Sequence, residues 1–134
     1  MTSERTKNGL PHRVPLSSVA LDVLAKAQNL GGTFVFPSPK GDGHIGRNVL
    51  HYALQRIMRN TGMTLCTVHD LRRTVATWLA AHRVPESIVG RILNHLSGHS
   101  ITRRHYNLYG YDDEKRAALE MWGAFLMEID RGQR

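Results

Sequence analysis

The sequence contains a single cysteine, Cys66, among 134 residues, which excludes an internal disulfide framework and a cysteine-based structural zinc site. It has no apolar run near the roughly 18 residues that a membrane span requires. The opening stretch MTSERTKNG is polar and lacks the apolar core of a secretory signal. No repeat or low-complexity stretch is present either. These absences indicate one folded domain in a reducing compartment, and we expect a cytoplasmic location.

Acidic residues are scarce relative to basic ones. Lys and Arg number 18 against 11 Asp and Glu, which gives a formal net charge of +7. With 41% hydrophobic and 22% charged residues, the composition is that of an ordinary globular protein. So large a surplus on a small chain indicates a polyanionic partner: nucleic acid or, as a weaker alternative, an anionic membrane surface.

The residue pattern predicts a mainly α fold of the α+β class, with a small N-terminal β-hairpin. Asn8-Gly9 is a strong hairpin turn signal within residues 4–17, and Pro11 and Pro15 favour an edge strand because neither can donate to a ladder. Apolar residues at helical spacing then predict a series of helices. These helices cover about residues 17–30, 46–61, 68–82, 85–93 and 112 onward, with a short basic helix or turn at 101–108.

The predicted helices carry apolar stripes that we expect to face the core. In the second helix the stripe consists of Val49, Leu50, Ala53, Leu54, Ile57 and Met58. In the third helix it consists of Val68, Leu71, Val75 and Leu79.

The segment HDLRRTVATWL places polar chemistry on the other side of the third helix. His69, Arg72 and Arg73 are spaced so that they can share one face. An arginine fork and a histidine on a helix rim can form an anion site. Taken alone, the segment favours a simpler interpretation, which is a basic surface with one hydrogen-bonded histidine.

The segment ILNHLSGHSITRRHYNLYGY concentrates histidines, arginines and tyrosines. His95 follows a helix end at Asn94, a residue type that tolerates left-handed geometry. Tyr106 follows a pair of arginines and could be a core aromatic, a stacking surface or a nucleophile, with the core role the commonest for tyrosine. His95 and His99 have a metal-ligand spacing, but a matching third ligand is not evident.

Taken together, these motifs resemble the tyrosine recombinases, the phage integrase family. The resemblance rests on HxxR at His69–Arg72, LxH ending at His95, and a tyrosine beyond a basic turn. The segment TKNGLPHRVPLS is similar to the family's lysine-bearing β-hairpin, and YNLYGYDDEKRAALEMW is similar to the nucleophile region of prophage-type integrases. The resemblance runs from about Glu4 to Trp122.

The resemblance implies a role for each matching residue. Lys7 would be the general acid that protonates the leaving 5′ oxygen, and His69 would give acid–base help to the nucleophile. Arg72 would clamp the non-bridging phosphate oxygens, and His95 would be a second phosphate contact. Tyr106 would be the nucleophile that forms a 3′-phosphotyrosyl intermediate.

The resemblance also implies site-specific recombination and integration of double-stranded attachment-site DNA in a bacterial, nucleoid-associated setting. It implies self-association on DNA, no membrane and no cofactor. The distribution of acidic residues favours a metal-free reaction. A two-metal site needs clustered carboxylates, whereas Asp70 is the only acidic residue between Gly43 and Pro85. Further candidates for DNA contacts are Arg47, Arg73, Arg103 and Arg104, although a solvated basic surface is an equally simple interpretation of them.

The sequence departs from the family pattern in three respects. The family's first catalytic arginine lies upstream of the hairpin, so we expect residues 1–134 to be the C-terminal portion of a catalytic domain. In this view the upstream arginine segment and the N-terminal DNA-binding domain are missing. Asn94 replaces the usual glycine of LGH, and the spacing from His95 to Tyr106 is slightly long.

Several alternatives follow from these departures. Tyr109 and Tyr111 are rivals for the nucleophile, and His99 is a rival for the role of His95. At the level of function, the chain could instead be a DNA-binding module without chemistry or an inactive integrase remnant.

Overall fold

The computed structural model describes residues 12–28, 33–39, 41, 43–95 and 109–132. Within these ranges the fold is mainly helical, as predicted. The second helix begins three residues later than expected because the Val49 N–H first donates to the Gly46 carbonyl in a tight turn, at 3.1 Å. The helices are α1 (Ser18–Gln28), α2 (Val49–Thr61), α3 (Val68–Ala81), α4 (Glu86–Ile92) and α5 (Asp112–Gly132).

The predicted N-terminal β-hairpin is not shown. Its turn at Asn8-Gly9 lies outside the described residues, and residues 12–17 have no regular secondary structure. Across the described ranges, β-pairing is confined to an isolated antiparallel bridge between Pro37 and His44. Residues 12–17, called the N-terminal segment below, are held by side-chain contacts.

The core lies where α3, α4 and α5 meet. Its buried residues come from all three helices, and Leu79 of α3 is completely buried. Trp78 lies beside this cluster with its ring stacked on His82 and Phe125, at centroid distances of 3.8 and 4.8 Å. The other core residues are Ile88, Val89 and Ile92 of α4 and Ala118 of α5.

The apolar stripes of α2 and α3 are covered much less than expected. In α2 only Met58 is buried, whereas Leu50 is 61% exposed. In α3 Leu79 is buried, but Leu71 near its N-terminal end is 51% exposed. Helix α2 packs against α3, and α4 and α5 cover the later turns of α3 that contain Leu79. Periodicity identifies residues that share a face, and tertiary packing decides how much of that face is covered.

Helix α1 approaches α5 closely at a glycine. Gly123 is buried, and a β-carbon there would lie 3.2 Å from Val19 Cγ2 and 3.3 Å from Ser17 Oγ. One turn earlier, the Glu120 carboxylate accepts from the Ser18 N–H at 2.9 Å and from the Ser18 hydroxyl at 2.8 Å. Gly123 therefore permits the close contact between α1 and α5, and the Ser18–Glu120 hydrogen bonds stabilise that contact.

We expect the Gly123→Leu variant to lower the free energy of unfolding by about 1–3 kcal/mol, because the larger side chain must displace α1. The same change at Gly132, where a β-carbon would meet nothing within 4 Å, is the control and should cause no comparable loss. Urea denaturation followed by circular dichroism measures both. Equal effects at the two positions would contradict the close α1–α5 contact.

A buried lysine attaches the N-terminal segment to α5. Lys115 is only 5% exposed, and its Nζ donates to the Arg13 carbonyl at 2.7 Å. The same Nζ lies 2.7 Å from Asp112 Oδ1, and Arg13 Nη1 lies 3.0 Å from Asp112 Oδ2. The hydrogen bonds from Lys115 and then Arg13 lower the pKa of Asp112 below its ordinary 3.8. This cluster fixes the start of α5 against the segment.

The lowered pKa of Asp112 predicts a loss of stability in acid. Its stabilising contribution is fully present above the unfolded pKa near 3.8, and it is lost as the pH falls through the lower folded value. We expect Asp112→Asn to weaken the dependence of the melting temperature on pH below about pH 4. Asp113→Asn, at an exposed neighbouring position in the same helical turn, is the control. If the melting temperatures of the wild type and Asp112→Asn change with pH to the same extent between pH 2 and pH 5, this prediction is wrong.

Candidate active site

A capping box fixes the first turn of α3. The Thr67 hydroxyl accepts from the Asp70 N–H at 3.2 Å, and the Asp70 carboxylate accepts from the Thr67 N–H at 3.0 Å and from the Thr67 hydroxyl at 2.7 Å. These hydrogen bonds are the main reason that the pKa of Asp70 is lowered. The sequence shows the signal as an acid three residues after a threonine, and the predictions above missed it. The box orients the turn that contains His69 and leads to Arg72.

A left-handed residue ends α4 and sets the direction in which the chain continues. Asn94 has a φ of 53°, the His95 N–H donates to the Gly90 carbonyl at 2.8 Å, and the Asn94 N–H donates to the Arg91 carbonyl at 3.3 Å. This is the Schellman arrangement, which requires a residue that tolerates positive φ. The requirement explains why asparagine can stand in place of the usual glycine in LGH. The turn fixes the backbone of His95.

The turn after α4 forms one wall of an open cleft of about 670 Å³. Arg72 reaches it from α3, and its Nη2 donates to the Leu93 carbonyl. An arginine side chain has five N–H donors, so the others are left for an anion. The cleft is lined by His12, Val14, Arg72, Ile92, Leu93, Asn94 and His95.

The structure brings together two of the five predicted catalytic residues. Arg72 and His95 line the same cleft although they belong to different elements. His69 is exposed on α3, one helical turn before Arg72, and it does not line the cleft. The other two, Lys7 and Tyr106, lie outside the described residues.

The predicted DNA-contact residues are only partly described. Arg73 is exposed and lies 3.8 Å from Asp70, with which it forms an ion pair. Arg47 is exposed in the turn before α2. Arg103 and Arg104 lie outside the described residues, as does His99, the rival of His95. The roles of all these residues stay predictions.

Sequence reasoning gave no role to His12, which also lines the cleft. Its Nε2 lies 2.9 Å from the Arg91 carbonyl oxygen. A carbonyl only accepts hydrogen bonds, so Nε2 carries the proton and donates. The available sequence signal was the position of His12 inside TKNGLPHRVPLS, the segment that resembles the integrase hairpin.

Comparison with known proteins identifies the family. A sequence model described as the phage integrase family matches residues 1–110. The chain belongs to the phage integrase family. This membership supports site-specific recombination and a DNA partner in general terms. The search of curated proteins and the search of solved structures gave no match.

Tyr109 and Tyr111, the two rival nucleophiles in this phage integrase family member, have environments that suit other roles. The Tyr109 hydroxyl donates to Glu114 Oε2 at 3.3 Å, and the nearby Glu114 charge is the main cause that raises the pKa of Tyr109. Tyr111 packs against the core, and the Arg91 guanidinium lies 4.0 Å from its ring centroid. A nucleophile needs its phenolate form, which the Glu114 charge disfavours at Tyr109. These observations weigh against Tyr109 and Tyr111 as the nucleophile, and the role of Tyr106 stays a prediction.

The described parts of the chain show neither the pattern of a metal site nor that of a membrane span. There, no group of three or more His, Cys, Asp or Glu side chains is arranged to hold a metal ion. None of the helices in those parts is long and apolar enough to span a membrane.

Proposed function

We propose that this chain is the catalytic portion of a phage or prophage integrase, which cleaves and rejoins DNA strands at attachment sites through a 3′-phosphotyrosyl intermediate. The observation that carries the proposal is the shared cleft. Arg72 and His95 come from two separate family motifs, and they line one cavity wall. Membership in the phage integrase family supports the same reaction class.

Arg72 and His95 supply the electrostatic part of the mechanism. Phosphoryl transfer depends mainly on positioning and on stabilising the charge of the phosphate oxygens. The bond to the Leu93 carbonyl holds the Arg72 guanidinium at the cleft, and its remaining N–H groups bind the non-bridging oxygens as a fork. His95 donates a further hydrogen bond to the same phosphate.

Tyr106 and Lys7 carry the bond changes. The Tyr106 oxygen attacks the phosphorus, the new Tyr–phosphate bond forms, and the bond from phosphorus to the 5′ oxygen breaks. His69 assists removal of the phenol proton, because only about 0.1% of a free tyrosine is ionised at pH 7. Lys7 gives a proton to the leaving 5′ oxygen. Attack by a 5′ hydroxyl reverses these steps and rejoins the strand.

Lys7 and Tyr106 each stand a few residues from a described residue. Lys7 precedes His12 of the cleft by five residues, and Tyr106 precedes the described Tyr109 by three. An extended chain spans at most about 3.6 Å per residue, so the linker from His12 allows Lys7 to lie within roughly 18 Å of the cleft.

A nicked suicide substrate tests the chemistry. We expect the chain to form a covalent DNA adduct on denaturing gels, and we expect Tyr106→Phe to abolish it, because the variant lacks the attacking oxygen. Loss of a single charge-stabilising contact costs about a hundredfold in rate, so incubation over hours allows even a slow reaction to accumulate detectable adduct. Tyr52→Phe, at an exposed tyrosine of α2, is the control.

Three outcomes would contradict the proposal. An adduct in Tyr106→Phe would refute the assigned nucleophile, and loss of the adduct in EDTA would refute a metal-free reaction. DNA binding without any adduct would favour the alternative of a non-catalytic binding module or an inactive remnant.

DNA affinity should fall steeply with salt, because contacts to phosphate release counterions from the duplex. If each of the proposed arginine contacts neutralises one phosphate, log K should fall against log salt with a slope of about −4.5. Fluorescence anisotropy with a labelled duplex measures this slope, and Arg73→Ala should reduce its magnitude by about 1. A slope near zero would remove the electrostatic argument. The arginines counted are Arg47, Arg72, Arg73, Arg103 and Arg104.

A further inference from the structure

We propose that His12 is a positioning residue that holds Arg72 and His95 in register at the cleft, an inference that rests on the proposed function of those two residues. The His12 Nε2–H donates to the Arg91 carbonyl at 2.9 Å, between positions 79 residues apart in the chain. His12 is half-buried and lines the cleft beside the two predicted phosphate contacts. The acceptor of its hydrogen bond, the Arg91 carbonyl, lies in the turn that leads to His95.

Two side-chain donors from other parts of the fold converge on the end of α4, where the chain also makes its own capping bond. The last carbonyls of a helix have no partner within the helix and must be satisfied from outside. His12 donates to the Arg91 carbonyl, Arg72 donates to the Leu93 carbonyl, and the His95 N–H donates to the Gly90 carbonyl. The end of α4 is therefore the point where the N-terminal segment, α3 and the turn at Asn94 are joined.

The N-terminal segment gives this connection a rigid base. Arg13, the neighbour of His12, is fixed by its carbonyl to the buried Lys115 and by its guanidinium to Asp112 of α5. His12 therefore connects the start of α5 to the end of α4. Without that connection, the Arg91 carbonyl would keep the longer 3.3 Å bond from the Asn94 N–H, and the N-terminal segment would lose this tie to the end of α4.

The bond from Nε2 to the Arg91 carbonyl fixes the His12 ring against the end of α4, which is the basis for assigning it a positioning role. Because Arg72 is itself bonded to the Leu93 carbonyl, a displaced turn would move the Arg72 guanidinium and the His95 ring together. One side chain thereby controls two proposed phosphate contacts.

Three variants of the 134-residue chain separate this role from a general loss of structure. His12→Ala removes the donor, and His12→Gln keeps an N–H at the same number of bonds from Cα. His51→Ala, at an exposed histidine of α2, is the matched control. Nuclear magnetic resonance should show the Nε2–H tautomer of His12 in the wild type. His12→Ala should shift the Arg72 Nε–H and His95 resonances, and His12→Gln should restore them.

DNA affinity provides the functional measurement. We expect His12→Ala to weaken duplex binding about fivefold, as the loss of one hydrogen bond implies, while His12→Gln and His51→Ala bind like the wild type. Unmoved Arg72 and His95 resonances in His12→Ala would overturn the proposal, as would His12→Gln behaving like His12→Ala. If the wild type fails to bind DNA, the proposed function fails, and the resonance shifts still decide the role of His12.

Discussion

Replacing Arg72 with alanine should lower the rate of covalent adduct formation at saturating DNA by about a hundredfold or more. Arg72 is the arginine that lines the cleft, and removing one preorganised donor to a developing negative charge costs roughly 3 kcal/mol in other enzymes. The same change also removes the donor to the Leu93 carbonyl, so the turn that carries His95 loses one of its anchors. Single-turnover trapping on a nicked substrate measures the rate separately from DNA affinity.

Arg73 provides a control at the adjacent position. It is exposed and ion-paired with Asp70, and it does not line the cleft. Arg73→Ala should weaken DNA binding and leave the trapping rate at saturating DNA within a few-fold of the wild type. Arg72→Lys should fail to restore the rate, because an ammonium lacks the planar fork that binds two phosphate oxygens. Equal rate losses in the two alanine variants would refute a special role for Arg72.

Local sequence signals predicted the helices well because each signal acts over a few residues. Gly62 ends α2 with a φ of 69°, in the left-handed region that glycine adopts readily. Pro85 precedes α4, and acidic residues from Asp112 onward open α5, where the helix dipole favours them. Asn94 is a local signal of the same kind, because the turn that ends α4 requires a residue that tolerates positive φ.

The cleft could be predicted only in part, because long-range contacts build it. The family resemblance pointed to Arg72 and His95, and the structure places both at one cavity wall. His12 had no comparable signal, since its bond to the Arg91 carbonyl depends on how the N-terminal segment crosses α4 and α5. A local pattern contains no information about a partner 79 residues away.

The same distinction separates the covered from the uncovered apolar residues of α3. Leu71 and Leu79 share the predicted buried face, yet Leu71 is 51% exposed and Leu79 is completely buried. Helices α4 and α5 pack over the later turns, and the first turns instead hold the capping box and the residues near the cleft. The two ends of one helix thus serve packing and the proposed chemistry separately.

This division predicts very different effects for the same substitution at the two leucines. Leu79→Ala should lower the free energy of unfolding by about 2–5 kcal/mol, because it leaves a cavity among α3, α4 and α5. Leu71→Ala should cost less than about 1 kcal/mol, since half of its side chain already contacts solvent. Urea denaturation followed by circular dichroism gives both values. Similar losses would mean that the core extends along the whole of α3, which would contradict the open face beside the cleft.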